Sequence, residues 1–284
     1  SLEKHIFPTL GKHPIHKVTA IKAIDAIKPI AAKGSLETVK RLCQRLNEIM
    51  LYAVNVGLIN ANPLTGISKA FQNPVKRHLP TLKPEQLPEL MAALSIASIK
   101  ITTRCLIEWQ LHTMVRPSEA AGARWDEIDL EQKLWKIPAE RMKKKKSHTV
   151  PLTSQSIALL ERMTPISSKS EFVFPSDRHF NKHINPSTAN VALKRMGFGG
   201  QLVAHGLRSI ASTTLNEQAF DADIIEAALA HVGDNEVRSA YNRSEYIKRR
   251  IPMMGWWSEH IEQSATGNMS LTSKKNLSLV RVAS

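Results

Sequence analysis

The chain has 284 residues and a formal net charge of +14. This length allows one or two domains with buried cores, and the basic balance favours a polyanionic partner, most often nucleic acid. The sequence shows no apolar run long enough to span a membrane and no signal peptide, so a membrane partner is not expected. Cys43 and Cys105 lie among apolar residues without metal-binding spacing, which predicts core thiols in a reducing compartment.

Helical patterns occupy the first part of the chain, residues 1–71, which we predict to be one domain. Apolar residues recur at helical spacing over 18–33 and over 36–56, where Ser35 can cap the second helix and Gly57 can close it. The polar face of this second helix is a candidate DNA-binding surface, formed by Lys40, Arg41 and Arg45. Residues 72–80 contain two prolines and basic residues, which favours a linker. An ordinary surface loop remains the alternative.

A second domain is predicted over residues 81–262. Two helical patterns precede Met114, and an alternating pattern between Asp126 and Pro151 then predicts a small antiparallel sheet with Lys143–Lys146 at a hairpin tip. Helices are predicted over 153–163, 186–196, 205–218, 222–230, 235–242 and 246–261. Residues 263–284 are polar and are expected to form a mobile tail. The fold class is therefore mainly α with a small antiparallel β-sheet.

The most informative motif is His205-Gly206-Leu207-Arg208, which His231 and Tyr241 follow. A second arginine, Arg116, lies far upstream in a helix-start pattern. Phosphodiester cleavage by a protein nucleophile needs this set of groups: a phenol to attack phosphorus, guanidinium groups to hold the non-bridging oxygens, and imidazoles to move protons. The pattern therefore indicates phosphoryl transfer on nucleic acid.

These stretches resemble the tyrosine recombinases, and most closely the integrases of temperate phages and genomic islands. The resemblance covers nearly the whole second half, in family order, in the blocks Arg116-Pro117-Ser118-Glu119, His205-Gly206-Leu207-Arg208, Leu229-Ala230-His231, Ala240-Tyr241-Asn242-Arg243 and Met254-Gly255-Trp256-Trp257. It implies the tyrosine-recombinase catalytic fold, and a two-domain clamp around duplex DNA in which the first domain binds the core site.

The resemblance also implies a role for each candidate residue. Tyr241 is the expected nucleophile, with Tyr246 as its competitor, whereas Tyr52 is better explained by core or interface packing. The other expected catalytic residues are Arg116 and Arg208 as a phosphate clamp, His205 as the acid/base, His231 as a phosphate donor and Lys143 as the general acid. Glu119 is expected to support Arg116, and Lys144, Lys145 and Lys146 to bind the DNA backbone.

The implied activity is site-specific recombination through a 3′-phosphotyrosine, without metal or other cofactor. Expected partners are double-stranded DNA at attachment core sites, a tetramer of this chain on DNA, and accessory DNA-bending and directionality proteins. The expected location is the cytoplasm of a bacterial host, associated with the nucleoid. Because the chain begins at Ser1 without Met, we expect an N-terminal piece to be missing. The resemblance offers an arm-binding domain as one candidate for that piece.

Several alternatives stay open at this point. A type IB topoisomerase shares the chemistry, and a DNA-binding regulator that has lost catalysis would share the motifs. The acidic residues Asp126, Glu127 and Asp129 could be interpreted as carboxylates for a metal, although their spacing suits a helix end and a strand entry better. Trp256 and Trp257 on the last helix could pack on a neighbouring protomer or on their own core.

Overall fold

The structure is a computed structural model, and it describes residues 1–75, 79–231 and 246–265. The chain divides into two compact units, Ser1–His78 and Leu79–Ser284. Helices make up most of the described residues, which also contain a three-stranded antiparallel sheet. The predicted fold class, mainly α with a small sheet, is therefore confirmed. No helix in the described ranges has both the length and the apolar character that a membrane span requires.

The first unit is helical throughout its described part. Its α-helices are α1 (Leu2–His5), α2 (Phe7–Leu10), α3 (Ala20–Ala32) and α4 (Leu36–Asn55), and short 3₁₀ turns cover Ile15–Lys17 and Ile67–Ala70. The apolar stripe of α4 packs against α3 to form the core. Ser35 occupies the N-cap position of α4, but its side chain accepts no capping hydrogen bond, so that part of the expectation was wrong.

The second unit begins with three helices around a buried centre. A 3₁₀ turn (Pro84–Gln86) leads into α5 (Leu87–Ile96), which α6 (Ile101–Thr113) and α7 (Pro117–Ala121) follow. Nearly all residues of α6 are buried, so the helix is enclosed on almost every face. Trp109 of this helix packs with its ring centroid 5.1 Å from that of Trp135. The residues after the end of α6 at Thr113 lie close to this centre: Met114 is fully buried and Arg116 is partly buried.

The sheet has the order β1 (Ile128–Asp129), β2 (Leu134–Ile137) and β3 (His148–Pro151). Trp135 pairs with Val150 and Ile137 with His148 across the antiparallel β2–β3 register. The connection between these strands contains a 3₁₀ turn and then the exposed residues 143–146. The lysine run thus lies in the hairpin connection, as its charge predicted.

Five further helices complete the described part of this unit: α8 (Ser154–Ser167), α9 (Thr188–Leu193), α10 (Gly206–Glu217), α11 (Ala222–Ala228) and α12 (Ile247–Ser264). The helix predicted over 186–196 is shorter, because α9 passes into a turn over Lys194–Phe198 where Gly197 has a φ of 99°. The helix predicted over 235–242 lies outside the described residues.

Helix α12 is part of the core. Trp257 is fully buried, and its indole Nε1 donates to the Leu111 carbonyl at 2.8 Å. Trp256 is partly buried between Phe220 and His260, with centroid distances of 5.3 and 5.0 Å. Both tryptophans therefore pack on their own unit. The helix continues to Ser264, three residues beyond the end expected from the sequence.

Candidate active site

Arg208 lies in the first turn of α10 and is buried, with 3% of its surface exposed. Its Nη1 donates to the Met114 carbonyl and its Nη2 to the Leu229 carbonyl, both at 2.6 Å. Burial, followed by the nearby charge of Arg116, lowers the pKa of Arg208 to about 10. The guanidinium is therefore fixed in orientation and only weakly hydrated, which strengthens its interaction with an anion.

Arg116 is the N-cap residue of α7, and Glu119 of the same helix secures it twice. One carboxylate oxygen of Glu119 accepts from the Arg116 backbone N–H at 2.9 Å, and the other accepts from Nη1 at 3.0 Å. Nη2 of Arg116 donates to the Ala230 carbonyl at 3.3 Å. The helix-start salt bridge thus exists, and it orients the guanidinium toward the end of α11.

The end of α11 explains why two arginines meet there. Ala230 takes a left-handed conformation, with a φ of 50°. Its N–H donates to the Ala227 carbonyl at 3.1 Å, and the His231 N–H donates to the Glu226 carbonyl at 3.0 Å. These two bonds form a Schellman motif, which ends the helix. Consequently the Leu229 and Ala230 carbonyls are free to accept from Arg208 and Arg116.

His231 follows directly after this turn, and its two ring nitrogens have different partners. Nε2 lies 3.1 Å from Nη2 of Arg208. Nδ1 lies 2.8 Å from a carboxylate oxygen of Glu226. The structure therefore brings Arg116, Arg208 and His231 together at one helix end, although they are distant in sequence. Glu226 was not identified from the sequence, where a glutamate five residues before a histidine carries no known signal.

His205 is the N-cap residue of α10 and is partly exposed. Burial lowers its pKa, and the charges of Arg208, Arg116, His231 and Lys143 lower it further, in that order. A neutral imidazole beside two arginines can accept a proton near neutral pH. This is the protonation state that a general base requires.

The four lysines of the hairpin connection are all exposed. Lys145 has a φ of 53°, and its ammonium donates to the Glu140 carbonyl at 3.2 Å. Lys143 is the member of the run whose charge lowers the pKa of His205. The electrostatics therefore associate Lys143 with the site, while its role as the general acid stays a prediction.

Tyr241 lies outside the described residues, so the position of the expected nucleophile is not part of this geometry. Its competitor Tyr246 is the N-cap residue of α12, where the Arg249 guanidinium lies 5.7 Å from its ring centroid. Tyr52 on α4 is 66% exposed, so the core alternative for this residue was wrong, while packing at an interface stays a prediction.

Two buried residues next to the site were missed by the sequence analysis. His148 begins β3, and its Nε2 lies 3.5 Å from Nη2 of the fully buried Arg250 on α12. Burial lowers the pKa of His148 to about 3, with Arg250 as the next cause, whereas a hydrogen bond to the Ala228 backbone acts in the opposite direction. Through these two contacts, His148 joins β3 to α12 and to α11. Neither residue has a distinctive sequence context.

The acidic residues near β1 are occupied by protein donors. Asp126 accepts from Arg124 at 3.0 Å, and Lys136 donates to Asp129 at 3.3 Å. Glu127 accepts from the Trp135 indole and from Arg141. Among the residues that the structure describes, no cluster of histidine, cysteine and carboxylate groups could hold a metal. These contacts argue against the metal interpretation of the carboxylates.

The candidate DNA-binding residues of the first unit, Lys40, Arg41 and Arg45, lie on the exposed face of α4. Arg41 forms an ion pair with Glu37 at 3.3 Å, and both side chains are largely exposed. Exposed pairs of this kind contribute little to stability. The face is therefore available to an anionic partner, but this geometry does not identify one.

Two family models match the chain, the phage integrase family over residues 80–247 and the phage integrase central domain over residues 1–70. Prophage integrase IntA of Escherichia coli (strain K12) is 53% identical over 280 residues, which cover 99% of this chain and 68% of that protein. The integrase of Enterobacteria phage P4 is 35% identical over 95% of this chain and 65% of its own length. The chain thus spans about two thirds of each relative.

Among solved structures, a lambda integrase tetramer bound to a Holliday junction has a similar fold. The TM-score is 0.63 at 18% sequence identity, and the match covers 82% of this chain and 70% of that one. At this level of identity the likeness concerns the fold alone.

Proposed function

The chain belongs to the phage integrase family, and we propose that the cluster at the end of α11 is the phosphate-binding part of its active site. The chain is a site-specific DNA recombinase of the tyrosine recombinase class. The observation that carries the proposal is the convergence of Arg116, Arg208 and His231 on one helix end. The two guanidinium groups donate to carbonyls of that end at 3.3 and 2.6 Å, and Nε2 of His231 lies 3.1 Å from Nη2 of Arg208.

In the proposed mechanism, the non-bridging oxygens of a DNA phosphate accept hydrogen bonds from the guanidinium groups of the two arginines. Each planar guanidinium can donate to two oxygens in a fixed geometry, which lysine cannot do. Arg208 is buried and Arg116 is held by Glu119, so both donors are oriented before the substrate arrives. Charge on the non-bridging oxygens grows as the pentacovalent phosphorus forms, and preorganised donors stabilise that charge without reorganisation.

The cleavage step exchanges one phosphodiester bond for another. The Tyr241 oxygen attacks phosphorus and loses its proton to His205, whose lowered pKa keeps it neutral and able to accept. The bond to the 5′ oxygen breaks, and Lys143 gives that oxygen a proton. The products are a 3′-phosphotyrosine and a free 5′-hydroxyl. The 5′-hydroxyl of a partner strand reverses the step, so no external energy source is consumed.

Double-stranded DNA at attachment core sites is the proposed substrate. We assign core-site binding to residues 1–71, through Lys40, Arg41 and Arg45 of α4, and catalysis to residues 81–262 with Lys144, Lys145 and Lys146 as backbone contacts. Recombination would require four protomers on two sites, and the fold shared with a lambda integrase tetramer on a Holliday junction supports that assembly. Accessory DNA-bending and directionality proteins are further proposed partners.

The decisive experiment traps the covalent intermediate. A duplex with a nick next to the cleavage position releases a short strand, so that religation is prevented and the protein–DNA adduct accumulates. We expect an adduct with the unaltered chain and none with Tyr241→Phe, while both bind the duplex equally well. Tyr246→Phe is the matched control and should retain the adduct.

Other outcomes would contradict parts of the proposal. Loss of the adduct in Tyr246→Phe alone would transfer the nucleophile to that residue. Binding without any adduct in the unaltered chain would favour a DNA-binding regulator. Relaxation of supercoiled DNA that lacks an attachment site would favour the topoisomerase alternative.

A further inference from the structure

We propose that Glu226 is a positioning residue for His231, because its carboxylate holds the proton on Nδ1 and turns Nε2 toward Arg208 and the phosphate site. The inference rests on the proposed function of the site. Glu226 lies on the exposed side of α11, and its carboxylate oxygen is 2.8 Å from Nδ1 of His231. Its role would be to act through His231, without touching the reacting atoms itself.

Glu226 holds His231 at two points. Its backbone carbonyl accepts from the His231 N–H at 3.0 Å in the Schellman motif, and its side chain accepts from the ring of the same residue. The first contact fixes where the chain of His231 leaves the helix, and the second fixes the rotation of the imidazole. Because both come from one residue, the ring is positioned relative to the same helix end that holds Arg116 and Arg208.

The chemistry of the carboxylate determines which nitrogen carries the proton. An ionised carboxylate only accepts hydrogen bonds, so the bond at 2.8 Å requires a proton on Nδ1. Nε2 then faces Nη2 of Arg208 at 3.1 Å, where it accepts in the absence of substrate. In the opposite tautomer, Nδ1 would present a lone pair to the carboxylate and Nε2–H would face a cation, so both contacts would be repulsive.

The same arrangement suits the ring once phosphate is bound. A ring that takes a second proton from solvent can donate Nε2–H to a non-bridging oxygen while Nδ1–H stays on Glu226. The carboxylate then balances the added charge in a site that already contains Arg116, Arg208 and Lys143. In metal sites, the loss of a carboxylate that orients a metal-binding histidine typically reduces metal affinity or activity by about 10- to 100-fold, and we expect an effect of the same order here.

The test is a double-mutant cycle on the rate of adduct formation with the nicked duplex. We expect Glu226→Ala to slow cleavage by about 10- to 100-fold, and Glu226→Gln, which keeps an acceptor oxygen, to recover part of that loss. Glu217→Ala removes an exposed glutamate from the end of α10 and should leave the rate unchanged. In a His231→Ala background, Glu226→Ala should cause no further loss, because the group through which it acts is gone.

Each alternative result has a distinct meaning. An equal loss in both backgrounds, or no loss in Glu226→Ala, would overturn the inference and leave the proposed function intact. An unchanged rate in His231→Ala would remove His231 from the proposed active site, and the inference with it. Circular dichroism and DNA affinity of each variant separate these results from misfolding.

A spectroscopic measurement addresses the tautomer directly. Long-range ¹H–¹⁵N spectra distinguish the two neutral forms of a histidine ring. We expect the Nδ1–H form of His231 in the unaltered chain at mildly alkaline pH, and a shift toward the Nε2–H form in Glu226→Ala. An Nε2–H form in the unaltered chain would overturn the inference even if Glu226→Ala were slow.

Discussion

Arg116 and Arg208 donate to consecutive carbonyls, those of Ala230 and Leu229, at 3.3 and 2.6 Å. The two guanidinium groups come from different helices, and the end of α11 therefore sets the distance between them. Because the carbonyl end of a helix carries partial negative charge, it also offsets the repulsion between two cations. The clamp is thus positioned by backbone geometry, which a side-chain substitution elsewhere on α11 leaves intact.

We predict that Arg116→Lys and Arg208→Lys both impair cleavage but differ in their effect on stability. Each loses a bidentate donor in the transition state, which costs roughly 3–4 kcal/mol, or about a hundred- to thousand-fold in rate. Only Arg208→Lys should also unfold more readily, because it leaves two buried carbonyls with a single ammonium. Single-turnover rates and urea unfolding check both statements.

Arg178→Lys provides the control for these substitutions, since Arg178 is exposed and lies outside the cluster. It should match the unaltered chain in both measurements. Near-normal cleavage in Arg116→Lys and Arg208→Lys would contradict the clamp.

We predict that Lys143→Ala fails on normal DNA and recovers on a substrate with sulfur at the 5′-bridging position. A thiolate leaves without protonation, so the general acid becomes unnecessary. Lys143 is the member of its run that acts electrostatically on His205, whereas all four lysines are exposed. Lys144→Ala and Lys146→Ala should show no such dependence on sulfur. Rescue in either of these variants, and not in Lys143→Ala, would show that the acid is misassigned.

We predict that DNA affinity depends strongly on salt and that α4 contributes to this dependence. With about 6–10 phosphate contacts, affinity should fall by roughly three to five powers of ten between about 50 and 200 mM salt. Replacing Lys40, Arg41 and Arg45 together with alanine should reduce the slope of log affinity against log salt by about 3. Lys28→Ala, which removes an ammonium already paired with Asp25, serves as the control. An unchanged slope in the triple variant would exclude this face of α4 from DNA binding.

We predict that stability falls as pH decreases below about 6.5, because His112 and His148 are buried in neutral form. Burial lowers the pKa of each to about 3, from the usual 6.5. Between these values the unfolded chain binds more protons than the folded one, so stability rises with pH across this window. Each histidine should remove about 2 kcal/mol by pH ~5, and above ~7 neither contributes to the slope.

Chemical unfolding at pH ~7.5 and ~5 measures this effect. His148→Asn keeps a polar group without a titrating ring, so its stability should change less with pH than that of the unaltered chain. His112 lies 2.9 Å from the Ser258 hydroxyl and provides an independent second case. If His148→Asn retained the full pH dependence, His148 would not be buried in neutral form.

The sequence predicted the parts of the fold that depend on periodicity. The apolar stripe of α4 and the alternation through Trp135 reflect burial on one face, which a local pattern can register. The end of α11 was predicted at Ala230, whereas the helix ends at Ala228. The turn is made by a non-glycine residue with positive φ, and sequence rules expect glycine or asparagine there.

The site itself was predicted only as a set of residues. Arg116, His205, Arg208 and His231 come from motifs, and their convergence depends on long-range packing that no local pattern encodes. The contact between His148 and Arg250 was missed for the same reason, since it exists only once α12 and β3 are adjacent. Glu226 contacts His231 locally, but the role of that contact appears only when His231 is seen beside Arg208. Tertiary contacts between sequence-distant groups are therefore what the structure adds.

The burial of Arg208 beside Arg116 links phosphate binding to the folding equilibrium. Two cations held close together repel each other in the folded state, and an anion that enters the clamp reduces that penalty. A ligand that binds only the folded state at a hundred times its dissociation constant stabilises it by about 2.7 kcal/mol. The melting temperature of the chain should therefore report the occupancy of the clamp, so phosphate analogues could be ranked by thermal shift without any DNA cleavage.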